Sequence, residues 1–499
     1  MSYFMGIDLG TSSLKAVIIN ETGTVVEISG SSYSVICRKN GYAEQEPESW
    51  WQALKAAIGA LKKKNPQILD AVAAIGFSGQ MHGTVLLDKE YQVLRPAIIH
   101  CDARTEDEVR EIYRLLGAEA EKILLNPIAT GIMLPTLCWV KKHEQKILEK
   151  TKYTLLPKDY LRFRMTGTIG TDYSDASATL AFDMKKGKWA EQILEKVGLP
   201  VDIFPPFGDS AMICGAMTEE AARELGLKKG IPVVLGGADQ VMQSIGCGAV
   251  SPGQATTNIG SGGQICIQTG EAEANPKLGI NTFQGYARDK WYVMGAMTSA
   301  GSSLRWLNQI LDQKDYDEIN KQVSEIKPGS DGLIFLPYLS GERCPRLNGD
   351  ISGVFWGLSY LTDRARLTRA VMEGVTYAMR SCLDACKKAG AEIYSMTAIG
   401  GGNRSEPWLQ MQADMYNVEL KTTLHQEQAG YGAAMIAAVG VHYFPDIQTA
   451  SKEMIRYKDR IIRPRKEIHE CYEEYYRLYQ EIHEKGQATL EAVTRLGRR

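Results

Sequence analysis

Asp8, Thr11, Ser12 and Ser13 stand close together near the N-terminus, in the run Gly6-Ile7-Asp8-Leu9-Gly10-Thr11-Ser12-Ser13. A carboxylate in such a loop can hold a divalent cation or its water shell. Small hydroxyl residues beside a glycine offer hydroxyls and unencumbered N–H groups to phosphate oxygens. A second acid, Asp239, follows Gly236-Gly237-Ala238. A carboxylate at that kind of turn can accept a proton from an alcohol, or it can simply cap the next helix. Ser78-Gly79-Gln80-Met81-His82-Gly83 forms a third polar turn. There Met offers a soft apolar wall, and His can donate to or accept from a hydroxyl. Gly260-Ser261-Gly262-Gly263 and Gly400-Gly401-Gly402-Asn403 complete the set.

The elements around these loops read as strands. Apolar runs flank the first loop as a hairpin, and a third strand follows at 24–28. The patterning predicts strands at 71–77, 84–87, 291–294, 332–335 and 396–399, and the polar turns sit at strand ends. Helices are expected at 47–64, 105–116, 240–246, 299–311, 364–389 and 428–439. Pro47 and Glu48 suit a first turn, and Lys62, Lys63 and Lys64 a last one. The segment 254–267 repeats the strand, small-residue loop, strand theme of the opening. The chain divides naturally near 246–251, giving units 1–247 and 248–499. The charged, Tyr-rich stretch from Arg465 onward reads as surface helices without chemistry.

Composition sets limits. The 499 residues suffice for two or three domains, and 44% hydrophobic with 23% charged residues is ordinary for a globular protein. With 57 basic and 59 acidic residues the net charge is −2, which gives no footprint for nucleic acid or an anionic membrane. Asp8 interrupts the N-terminus before a signal-peptide core could form, and no transmembrane run appears. The ten scattered cysteines form no Cys-x-x-Cys pair, so the expectation is reduced thiols in a cytoplasmic protein. Trp50 and Trp51 read as core.

Taken singly, each glycine loop is more often an ordinary turn. Loops at 10–13, 79–83, 236–239, 260–263 and 400–405, all at strand ends and two beside an acid, point to a phosphate ligand and a metal. None ends in Gly-Lys-Ser/Thr, and none fits Gly-x-Gly-x-x-Gly well.

At this point the residues resemble a known family. Gly6-Ile7-Asp8-Leu9-Gly10-Thr11-Ser12, Gly237-Ala238-Asp239-Gln240 and Gly400-Gly401-Gly402 resemble the nucleotide-side signatures of the FGGY carbohydrate kinases, within the actin/hexokinase/Hsp70 superfamily. Ser78–Gly83 resembles the sugar-binding turn of the xylulokinase branch, and Pro337–Pro345 resembles another stretch typical of the family. The resemblance implies an α/β fold of two ribonuclease-H-like domains around a central cleft, with ATP mainly against the C-terminal domain and a sugar mainly against the N-terminal one.

It further implies ATP-dependent phosphorylation of a pentulose, most simply D-xylulose to D-xylulose 5-phosphate. Asp239 becomes the general base, also placed at the metal and the sugar, and Asp8 the Mg²⁺-side residue. Gln80, Met81, His82 and Asp102 become sugar-binding residues. Thr11, Ser12, Ser13, Gly260, Ser261, Gly301, Gly401, Gly402 and Asn403 become ATP-binding residues, with Asn403 free to hydrogen-bond. Three positions depart from the family pattern. His100 replaces a Trp, Gln240 replaces an Asn common in the branch, and Gly262 replaces a hydroxyl residue. Ribulose, L-xylulose, gluconate or glycerol remain alternatives as acceptors. An actin- or Hsp70-like ATPase acting through partner binding is the reading from another class. Homodimer formation is left open by the sequence.

Overall fold

The computed structural model describes residues 2–345 and 347–497. Its first unit is built on one hairpin. β1 (Tyr3–Leu9) and β2 (Ser13–Asn20) pair antiparallel, and β3 (Val25–Ser32) continues antiparallel on β2. On its other side β1 lies parallel to β4 (Val72–Gly79). β5 (Ile213–Ala216) pairs antiparallel with β6 (Pro232–Val234), which lies parallel to β4. The short β7 (Gly237–Ala238) also pairs with β4, opposite Ser78 and Gly79. That pairing brings the Asp239 turn beside the Met81-His82 turn.

The second unit repeats the plan. β8 (Gln254–Ile259) and β9 (Gly263–Thr269) form a hairpin. β10 (Asn281–Gln284) and β11 (Trp291–Met297) extend it antiparallel through β11. β12 (Ser395–Ile399) lies parallel to β8, and β13 (Leu420–Lys421) parallel to β12. From β3 in the first sheet and from β11 in the second, the pairings run antiparallel, antiparallel, parallel, parallel. This is the duplicated ribonuclease-H-like plan that the resemblance implies.

Helices fill the faces. α1 (Pro47–Lys64) starts at its Pro and ends in three Lys, and it buries Trp50, Trp51, Leu54, Ile58 and Leu61. That spacing is one apolar stripe of a 3.6-residue helix laid on the first sheet. α2 (Asp239–Gly246) follows β7 directly. The long α4 (Arg364–Lys388) lies on the second sheet, and α3 (Gly301–Ile310) packs against α4. Asp363 caps α4 by accepting from the Arg366 N–H at 2.9 Å.

α5 (Gln428–Gly440) comes late in the chain yet packs on β1, β4 and α2 of the first unit. Glycines permit the approach. A Cβ on Gly6 would overlap the Gly430 carbonyl, one on Gly76 the Ala433 carbonyl, and one on Gly246 the Gln428 carbonyl. The absence of a side chain on each of these glycines lets backbone meet backbone. α5 thereby fixes the strands and helix that carry Asp8, Ser78 and Asp239.

α6 (Lys466–Gly497) corrects the surface reading of the C-terminal stretch. Tyr472, Tyr476 and Tyr479 are buried, at i, i+4, i+7 spacing. The Tyr472 hydroxyl donates to Glu373 of α4 at 2.9 Å and accepts from Arg369 at 2.9 Å. Tyr476 donates to Asp384 at 2.8 Å. The aromatic bodies pack while the hydroxyls find partners, so a polar-looking sequence forms a buried face. All ten cysteines are unbridged, as expected; five of them are buried and Cys37 and Cys101 are exposed.

Candidate active site

The first loop is held tightly. The Gly10 N–H donates to the Ser13 carbonyl at 3.0 Å, and the Tyr33 N–H donates to the Ser12 carbonyl at 3.1 Å. The Tyr33 hydroxyl also bonds the Gly10 carbonyl. Gln45 closes the far side by donating to the Thr11 carbonyl at 2.6 Å, and it accepts from Trp50 and Gln80 at 3.1 and 2.9 Å. Asp8 lies at the end of β1 and accepts from Ser78 Oγ at 2.8 Å. Burial pushes its carboxyl above the usual range, against the opposing pulls of Ser78 and Lys15.

Asp239 is the first residue of α2. Its carboxylate makes no hydrogen bond to another side chain among the described residues, and Ala238, at the N-cap, makes no side-chain cap. Burial pushes the Asp239 carboxyl up to about 7, the nearby Asp8 adds to this, and the Gln240 N–H opposes it. A neighbouring carboxylate that disfavours ionisation in this way lies close in space.

A cavity of about 600 Å³ opens at Asp239. Thr11, Met81, His82, Asp239 and Gln240 line it from the first unit. Gln264, Met294 and Arg343 line it from the second. His82 adopts φ 70°, and its Nδ1 lies 2.8 Å from the Ala178 carbonyl. A carbonyl only accepts, so Nδ1 carries the proton and Nε2 keeps a lone pair. Burial pushes His82 down to about 4. At neutral pH His82 is therefore an uncharged acceptor suited to a hydroxyl.

The 260–263 loop closes on the start of α3. Gly301 N–H donates to the Gly260 carbonyl at 2.9 Å, and Ala300 N–H to the Ser261 carbonyl at 3.0 Å. A Cβ on Gly301 would overlap that Gly260 oxygen. Gly260, Ser261 and Gly301 thus come together, as the sequence predicts. Gly400 and Gly402 pack onto Asn258 and Ile259 at the end of β8, beside that loop, and Gly401 follows in the same turn. Asn258 Nδ2 donates to Gln243 Oε1 at 3.1 Å, tying β8 to the helix that begins with Asp239.

Two of the expected sugar-binding residues lie outside the cavity lining. Asp102 does not line the cavity; both its oxygens are taken by Arg104, at 2.8 to 3.0 Å, and one also bonds the Ala43 N–H. Asp102 and Arg104 form a buried ion pair, and Arg104 also meets Glu44 at 2.9 Å. Gln80 also lies outside the lining; it braces the Thr11 loop through Gln45. Asn403 uses one amide N–H on the Ala398 carbonyl, at 3.2 Å. Gln45, Gln264 and Arg343 carried no role in the sequence reading. Alternation from the 260–263 loop could have flagged Gln264, and Arg343 lies in the stretch that resembles the family.

Comparisons with known proteins cover both units. Residues 3–246 match the FGGY family of carbohydrate kinases, N-terminal domain, and residues 257–441 match its C-terminal domain. A xylulose kinase of Staphylococcus epidermidis is 36% identical over 492 residues, 98% of each chain. A xylulose kinase of Bacillus subtilis is 36% identical over 485 residues, 97% of each. The crystal structure of a xyloylose kinase from Brucella ovis superposes with a TM-score of 0.92 at 34% identity, covering 98% of this chain and 100% of that one.

Proposed function

The chain belongs to the FGGY family of carbohydrate kinases, and from that membership we propose that it transfers the γ-phosphoryl group of ATP to the 5-hydroxyl of D-xylulose, giving D-xylulose 5-phosphate and ADP. One observation carries the reading most directly. Uncharged His82 and Asp239 line one cavity together with Thr11 of the first glycine loop, and Asp8 is close enough to Asp239 to raise its proton affinity.

Phosphoryl transfer needs alignment, neutralised phosphates and a destination for the hydroxyl proton. Met81 supplies an apolar wall and His82 Nε2 an acceptor for a sugar hydroxyl. Asp239 takes the proton as the oxygen attacks phosphorus. Its pKa of about 7 matches a base working near neutrality. Thr11, Ser12 and Ser13 meet the transferring phosphate, and Gly260, Ser261 and Gly301 the rest of the chain of phosphates. Gly401, Gly402 and Asn403 lie under the adenosine. Closing the cleft keeps water from replacing the sugar.

The donor set fits Mg²⁺ held largely through water. Asp8 and Asp239 are two adjacent carboxyls, and no group of three or more His, Cys, Asp or Glu able to hold a metal occurs among the described residues. Mg²⁺ usually keeps several waters and one or two carboxylates alongside substrate phosphates, and when bound it neutralises developing phosphate charge.

His100 and Gln240 at the cavity wall keep a related ketose or polyol as the second reading. The partner-driven ATPase reading is weaker, because α6 spends its aromatic face on α4. Coupled ADP release with D-xylulose, L-xylulose, D-ribulose, L-ribulose, glycerol and gluconate tests the proposal. D-xylulose is expected to give the highest kcat/KM. Release no faster with any sugar than without one contradicts the kinase reading, and preference for another sugar overturns the substrate.

A further inference from the structure

Behind the Asp239 turn lies a charged cluster that the reaction above does not use. Lys158, Asp159, Arg162, Asp172 and Asp175 all have zero exposure. Lys158 Nζ stands 2.6 Å from Asp159, 2.9 Å from Asp172 and 3.0 Å from Asp175. Arg162 donates to Asp159 at 2.6 Å and to the Leu235 carbonyl at 2.8 Å. Removing so many charges from water costs at least as much as apolar packing of equal volume would gain, so stability alone does not explain the cluster.

Its connections run to both turns of the site. The Ala238 N–H donates to Ser174 Oγ at 2.9 Å, and Ser174 Oγ donates in turn to Asp172. Ala238 is the residue before Asp239, and Leu235, held by Arg162, begins the same turn. On the sugar side, Gly79 packs on Lys158, where an added Cβ would stand 2.7 Å from Lys158 Cβ. Gly83 packs on the adjoining Pro157 in the same way. The helical turn Tyr173–Ser177 also reaches the second unit, where the Gln284 N–H donates to Ser177 Oγ at 3.1 Å.

We propose that Lys158 and Ser174 are positioning residues, and that the cluster around Lys158 holds the Asp239 turn and the Met81-His82 turn in fixed relation for transfer. The inference rests on the reading of Asp239 as the base. Ser174 has no freedom in this arrangement: its oxygen accepts from Ala238 while its proton goes to Asp172. Without it the Ala238 N–H loses its partner and the base turn can shift. A shift of roughly 1 Å away from reacting geometry can cost on the order of 10²-fold in rate.

The test compares Ser174→Ala, Asp175→Asn and Asp239→Asn in the full chain. kcat is corrected for the folded fraction, KM is measured for ATP and for D-xylulose, and melting is followed by circular dichroism. The expected result is a loss of about 10- to 100-fold in kcat for Ser174→Ala, with the KM for ATP unchanged and melting close to that of the unaltered protein. A smaller kcat loss of the same kind is expected for Asp175→Asn. If Asp239→Asn is inactive but Ser174→Ala, once folded, keeps kcat within twofold, the positioning role is wrong and the base assignment stands. If Asp239→Asn turns over normally, the base assignment itself fails. If Ser174→Ala does not fold, Asp175→Asn carries the test by the same criteria. Failure of both to fold overturns the inference in favour of a purely structural cluster.

Discussion

Gly6 of β1 and Gly430 of α5 touch through bare backbone: a Cβ on Gly6 would overlap the Gly430 carbonyl oxygen. The contact joins the strand that ends at Asp8 to a helix from the far end of the chain. Gly76 meets the Ala433 carbonyl in the same way one strand over. The methyl group of Gly76→Ala has only backbone to displace, so this variant is expected to lose about 1–3 kcal/mol of stability. Chemical denaturation checks it, and an unchanged midpoint would mean that α5 is not seated there.

Asp239 must be ionised to accept a proton. Its carboxyl, pushed up to about 7, makes kcat/KM rise with pH through about 7 before levelling. Asp8 contributes to that displacement. In Asp8→Asn the acidic limb of the residual activity is expected at lower pH, because a negative neighbour is gone. A pH–rate series on both proteins decides; a limb near the ordinary carboxylate value in the unaltered protein would refute the assignment.

The same displacement makes a stability prediction. Asp239 binds its proton more tightly folded than unfolded, so folding stability falls as pH rises from the ordinary carboxylate range through about 7. Asp239→Asn removes that penalty. Its melting temperature is expected above that of the unaltered protein at pH 8, with the gap closing towards pH 4. A gap that is constant with pH would show that Asp239 is not strained by ionisation.

His82 is held neutral, pushed down to about 4, with Nε2 left as an acceptor. His82→Ala removes one hydrogen bond to the sugar and is expected to raise the KM for D-xylulose by about 10-fold while leaving the KM for ATP unchanged. Equal effects on both substrates would place His82 outside the sugar pocket.

Much of this was legible in the chain. The α1 span was readable from Pro47 and Lys62–Lys64, and the glycine loops at strand ends mark Asp8, Asp239, Gly260 and Gly400. What could not be read depends on long-range pairing. Asp102 is taken by its neighbour Arg104 and by Ala43, a partner 59 positions away. The tyrosines of α6 look solvated until Glu373 and Asp384 of α4 meet them. The Lys158 cluster joins residues that local patterning treats as unrelated helix and loop positions.

The most direct test of the account is steady-state turnover of Asp239→Asn with ATP and D-xylulose, set beside sugar binding measured by calorimetry. The account predicts that the folded variant still binds D-xylulose and loses on the order of 10²–10⁴-fold in kcat. A folded Asp239→Asn protein with a kcat close to that of the unaltered enzyme would contradict it.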